Sequence, residues 1–214
     1  MIEENLRKVR AHIPQQVTLV AVSKTKPNSS IMAAYQEGQR SFGENKVQDL
    51  AAKAEVLPKD IQWHMIGHLQ SNKVKFIAPF VHLIHGVDSF KLLKEIDKRA
   101  KQHDRIIDCL LQVHIAKESS KFGLGLEELK HLLSSSLDLK HVAVKGFMGM
   151  ATYTSNTSII EKEFAYLKQI FSQFQQTHQE LQILSMGMSG DYSLAIEHGS
   201  TMVRVGSAIF GSRL

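Results

Sequence analysis

Val17-Thr18-Leu19-Val20-Ala21-Val22-Ser23-Lys24-Thr25-Lys26-Pro27 is the stretch on which the fold turns. Residues 17–23 are apolar on both faces and rich in β-branched side chains, the pattern of a strand buried on both sides of a parallel sheet. An open doubly wound sheet that binds dinucleotides usually places a glycine fingerprint directly after such a first strand. Here Ser23-Lys24-Thr25-Lys26-Pro27 contains no glycine. The same alternation of periods runs outward from this point. Further strands are predicted at 40–42, 61–66, 82–87, 106–115, 142–147, 182–186 and 202–205. Helical spacing is read at 3–12, 28–38, 72–76, 89–101, 126–134, 158–177 and 192–198, with an apolar stripe from Val47 to Leu57. Eight strands separated by helices, without a long linker, predict an α/β chain folded as one (β/α)8 TIM barrel over residues 1–214. Barrels of this type run from about 200 residues upward.

Composition bounds the function. The 214 residues carry 26 Lys and Arg against 21 Asp and Glu, a formal net charge of +5. Basic residues are scattered among acidic neighbours, as in Lys91 to Lys101, where Glu95 and Asp97 interrupt the run. A nucleic-acid binder concentrates them on one face, so no nucleic acid is expected. Cys109 is the single cysteine and forms no intrachain disulfide. No apolar run approaches the roughly 20 residues that span a bilayer, and the N-terminus lacks a secretory core. The expected setting is the reducing cytoplasm, without a membrane partner. A closed barrel can stand as a monomer.

In a barrel, chemistry sits at the C-terminal ends of the strands. Lys24 lies there, in line with Thr18, Val20 and Val22 on one strand face. Its stem can cover the core while its amine reaches the mouth, a setting that favours attack on an aldehyde. A surface lysine in a polar loop is the plainer alternative. The second signal is Ser185-Met186-Gly187-Met188-Ser189-Gly190-Asp191, together with Gly206-Ser207-Ala208-Ile209-Phe210-Gly211. Loops after strands seven and eight are the usual phosphate position in this fold. Glycines 187, 190 and 206 let backbone N–H groups approach an anion, and Ser189 and Ser207 add hydroxyl donors. Arg204 interrupts the apolar last strand and needs a partner, either a carboxylate at the barrel bottom or a ligand atom at the mouth. Of the eleven histidines, His64 and His68 straddle a strand end, and His82 and His85 should point to opposite faces. No metal site is expected. Asp191 is read as a helix cap.

The motifs also carry a family resemblance. Leu19 to Pro27, Phe42-Gly43-Glu44-Asn45, Trp63 to Lys73, Ser119-Ser120-Lys121-Phe122-Gly123-Leu124, Leu184 to Ser189 and Val203 to Gly211 stand in the expected order. The chain resembles the pyridoxal phosphate homeostasis protein family, whose fold is similar to the N-terminal barrel of alanine racemase. The resemblance covers essentially the whole chain. It implies pyridoxal 5'-phosphate as cofactor, with Lys24 as the Schiff-base lysine and Ser189, Gly206 and Ser207 holding the phosphate. Arg204 would face the pyridine nitrogen, with Asn45 and Met186 near the ring. It further implies a role in intracellular vitamin B6 and amino-acid balance without efficient turnover, and transient contact with client apoenzymes. A guanidinium at the ring nitrogen disfavours its protonation, which makes the ring a weaker electron sink. His114 and Lys46 depart from residues frequent in the family. The rival readings are an amino-acid racemase using Lys24 with Tyr153 or His114 as second base, and a phosphate-sugar enzyme that would not need Lys24. The racemase lacks support because the chain ends at Leu214, directly after the eighth unit.

Overall fold

The computed structural model describes residues 1–116 and 122–212. Ser119-Ser120-Lys121 of the motif quoted above lies outside them. Among the described residues, eight parallel strands close into a barrel in sequence order: β1 (Thr18–Val22), β2 (Ser41–Glu44), β3 (Gln62–Met65), β4 (Leu83–Val87), β5 (Ile107–Gln112), β6 (Val142–Met148), β7 (Ile183–Ser185) and β8 (Met202–Val205). Closure is made by β1 on β8, with Val20 in register with Arg204. The helices are α1 (Ile2–Ala11), α2 (Asn28–Gln36), α3 (Val47–Val56), α4 (Phe90–Lys101), α5 (Leu126–Ser136), α6 (Thr157–Gln175), α7 (Tyr192–Glu197) and α8 (Ser207–Phe210), and a 3-10 turn covers Ser71–Phe76. The predicted (β/α)8 barrel is therefore present. The short α8 was not anticipated. No helix among the described residues is long and apolar enough to cross a membrane.

Strand alternation sorts the apolar residues into two sets. Leu19, Ala21, Leu184, Val203 and Val205 face the helices and join the large core cluster, which includes Phe147, Phe164 and Phe171. Val20, Leu83, Leu110, Met148 and Met202 form a small separate cluster inside the barrel. Above and beside that cluster the inward positions are polar, which places the site.

Helix geometry also re-sorts the charges that the sequence interleaves. On α4, Glu95 Oε1 binds Arg99 Nε at 2.6 Å and Asp97 accepts the His141 N–H at 2.7 Å. Lys91, Lys94, Lys98 and Lys101 stand exposed at helical spacing, on one face. The reading of Lys91 to Lys101 as scattered charge holds for the chain but not for the helix surface. The start of α4 is set by Ser89, whose hydroxyl accepts the Leu92 N–H. Ser89→Ala is expected to cost about 1 kcal/mol, read as a lower urea midpoint with an unchanged slope.

Candidate functional site

A cavity of about 600 Å³ opens at the C-terminal ends of the strands. Lys24, Asn45, Ser189, Arg204, Gly206 and Ser207, six of the seven residues singled out from the sequence, line it together. They come from β1, β2, β7 and β8 ends, and closure of β8 on β1 brings the first and last of them side by side.

Lys24 is half-buried at the end of β1, beyond Val20 inside the barrel and Val22 on the cavity wall. The turn that carries it is strained: Thr25, a β-branched residue, has φ of 66°. A buried network braces the turn from behind. Ser23 Oγ donates to Glu44 Oε1 at 2.6 Å, and Lys53 Nζ donates to the same oxygen at 2.7 Å and to the Ser23 carbonyl at 3.0 Å. Glu44 Oε2 is buried without a hydrogen-bond partner. Asn45 is placed by the neighbouring strand, because Gly67 lets the two backbones meet. A Cβ on Gly67 would lie 2.4 Å from the Asn45 carbonyl oxygen.

The two phosphate-type loops are tied to each other. Ser189 Oγ accepts the Gly206 N–H at 3.0 Å and the Ala208 N–H at 3.4 Å, which leaves its own hydrogen to donate elsewhere. Gly190 has open space around it, whereas Gly187 has φ of 95° and no room for a Cβ against Ala195. Gly187 therefore serves the turn, and Gly190 and Gly206 line the cavity. Asp191 stands at the N-cap position of α7, but its carboxylate accepts the Met188 N–H and does not cap the helix.

Met186 corrects the expectation placed on it. Its side chain is fully buried in the large helix-side cluster and is not among the cavity-lining residues. The reason is parity: Ile183 packs on the inner cluster and Ser185 is bonded to Arg204, so Leu184 and Met186 point outward. Lys46 is exposed at the start of α3 and His114 is half-buried; neither lines the cavity.

Arg204 settles one open alternative. Among the described residues no carboxylate holds it. Nη1 donates to the Ser185 carbonyl at 2.9 Å and to Ser185 Oγ at 2.6 Å, and Nη2 donates to the Gly149 carbonyl at 3.1 Å. Two of its five N–H bonds are thus uncommitted, and the side chain borders the cavity. Burial lowers its pKa to about 10, partly opposed by the Asp191 charge, so it remains a cation at neutral pH.

Sequence reasoning missed what lies beneath. Ser185 Oγ is 3.3 Å from His85 Nδ1, and His85 Nε2 is 2.9 Å from His64 Nδ1, all of them buried. Burial pushes the His64 pKa down to about 3 and that of His85 well below its ordinary value, so both rings are neutral. The expectation that His82 and His85 point apart fails, because β4 begins at Leu83 and His82 lies outside the alternating strand. Both rings pack against His64, at centroid distances of 5.4 and 5.2 Å. Among the described residues no three His, Cys, Asp or Glu side chains converge to hold a metal. The rim was missed as well: His68 stacks on Phe122 at 4.2 Å, and Gln112 Nε2 donates to the Phe122 carbonyl at 2.9 Å. The parity of Asp108, Leu110 and Gln112 along β5 was the available signal for Gln112.

Comparison with known proteins agrees with this fold. The family model for the alanine racemase N-terminal domain matches residues 1–214. The chain is 38% identical over 202 residues to the pyridoxal phosphate homeostasis protein of Haemophilus influenzae, covering 92% of this chain and 85% of that one. It is similar to the solved structure of PipY from Synechococcus elongatus with PLP bound, at 36% identity and a TM-score of 0.91, over 99% of this chain and 100% of that chain. Alanine racemase from Bartonella henselae shares the fold, with a TM-score of 0.77 at 20% identity, over 99% of this chain and 58% of that chain.

Proposed function

The chain belongs to the alanine racemase N-terminal domain family, within it to the pyridoxal phosphate homeostasis proteins, and from that premise we propose that it binds pyridoxal 5'-phosphate in the barrel-mouth cavity and serves vitamin B6 and amino-acid homeostasis in the cytoplasm. One observation carries the reading: a single cavity is lined by an amine from the opening strand and by the hydroxyl and glycine loops of the closing two. The residues fit the group. About 600 Å³ accommodates a phosphorylated ring, and Arg204 offers uncommitted donors on the wall. When bound, the group would supply an aldehyde within reach of an amine, and Lys24 would be the residue to hold it there.

The remaining roles belong to the protein. Ser189, Gly206 and Ser207 hold the phosphate by hydroxyl and backbone donors, Asn45 orients the ring, and Arg204 donates toward the ring nitrogen and keeps it unprotonated. By holding the ring nitrogen with a cation, Arg204 would favour binding and release to apoenzymes, through transient contact by a monomer, over turnover. Reduction of the loaded protein with borohydride and peptide mapping should place the modification on Lys24 and lose it in Lys24→Ala. Modification elsewhere overturns the site, and amino-acid racemisation at roughly 1 s⁻¹ or more overturns the non-enzymatic reading.

A further inference from the structure

The protons of the file beneath the cavity can be placed one by one. A guanidinium only donates, so Ser185 Oγ accepts the 2.6 Å bond from Arg204 Nη1. The Ser185 hydroxyl hydrogen is then directed to His85 Nδ1, 3.3 Å away. A ring nitrogen that accepts carries no hydrogen, so neutral His85 is protonated on Nε2. That nitrogen meets His64 Nδ1 at 2.9 Å, which must accept in turn and leaves the His64 hydrogen on Nε2. His64 Nε2 is buried without a hydrogen-bond partner, so the file ends there. Either order strands one buried hydrogen, that of His64 Nε2 in this one and that of the Ser185 hydroxyl in the opposite one. The charge decides between them, because the opposite order turns the positive N–H edge of His85 toward a cation.

We propose that Ser185, His85 and His64 are positioning residues, a one-way hydrogen-bond file that fixes the Arg204 guanidinium at the cavity floor and stands in for the carboxylate it lacks. Both imidazole dipoles present their lone-pair ends toward the charge, while the carbonyls of Ser185 and Gly149 complete its fixed acceptors. A guanidinium held this way keeps its two remaining donors uncommitted beside the cavity it lines, with no anion in hydrogen-bond contact among the described residues. The consequence for a bound ring rests on the cofactor reading of this site. The existence of the file does not.

Two measurements separate the two. In protein free of cofactor at pH 7, nitrogen-15 NMR should find both rings neutral with hydrogen on Nε2. Ser185→Ala should let His85 populate both tautomers, and Ser185→Thr, which keeps the hydroxyl, should restore the single one. A wild-type His85 protonated on Nδ1 overturns the file. In protein loaded with pyridoxal 5'-phosphate, Ser185→Ala and His85→Phe should shift the absorption maximum and weaken retention about tenfold, the worth of one hydrogen bond to a charged group. Ser185→Thr should match the wild type. An unchanged spectrum and affinity in both variants overturns the positioning role. If the Nε2 order is found but no pyridoxal phosphate is captured, the file stands and the cofactor reading falls.

Discussion

Lys53→Met is expected to remove about 3–5 kcal/mol of stability at pH 7, measured as a lowered urea midpoint. Lys53 and Glu44 are both buried, and their 2.7 Å bond is shared with Ser23. Taking away the ammonium leaves a carboxylate in a dry setting with one hydroxyl donor, while Oε2 already has no partner. The cost comes from the stranded charge rather than from the lost pair, so Glu44→Gln in the Lys53→Met background should recover most of it. The same substitution also releases the Ser23 carbonyl beside Lys24, so borohydride trapping should slow in the single variant. A loss under 1 kcal/mol would show that the pair is dispensable.

Acidification from pH 7 to pH 5 is expected to cost about 4 kcal/mol through two side chains alone. His64 and His85 have folded pKa values depressed by burial, His64 to about 3. Above the unfolded value near 6.5 neither state takes up a proton and the histidines are silent. Below it the unfolded chain binds protons that the folded chain refuses, so stability falls as pH falls, until the folded pKa is reached. Each ring contributes a slope approaching 1.4 kcal/mol per pH unit, large beside a typical total of about 5–15 kcal/mol. His82, whose pKa is also lowered by desolvation, acts in the same direction. Urea unfolding at pH 7.5, 6 and 5 measures the slope. His64→Asn, whose Oδ1 can accept from His85, should reduce it by close to half; a flat profile in the wild type would contradict the burial argument.

The barrel was legible because its signals are local. β-Branched runs marked the strands and helical stripes marked the intervals, so even three-residue β7 was found. Boundaries failed where apolarity outlasted pairing. The run at 106–115 forms a strand only over Ile107–Gln112, while Val113 makes a single bridge to Leu124 and Ile115 is buried against the core without a strand partner. At the site, Lys24, Ser189, Gly206 and Ser207 could be read because the fold dictates which strand ends converge, and Arg204 because its charge interrupts an apolar strand, whereas Asn45 and Met186 rested on the family resemblance alone. Met186 was misplaced by one position of side-chain parity. The contact between His85 and Ser185 bridges a hundred positions of chain, and no local pattern announces it.

The two apolar clusters carry a last consequence. The large one, sandwiched between strands and helices, supplies cohesion, and the inner one is too small to fill the ring of strands. Robustness and ligand chemistry are therefore lodged largely in different compartments, and each can drift without the other away from Ala151 and Ile160, which belong to the large cluster and also line the cavity. Greasing the inner compartment should yield a tougher barrel that has gone blind to its ligand, whereas wear in the outer one should weaken the shell and leave recognition intact until it melts.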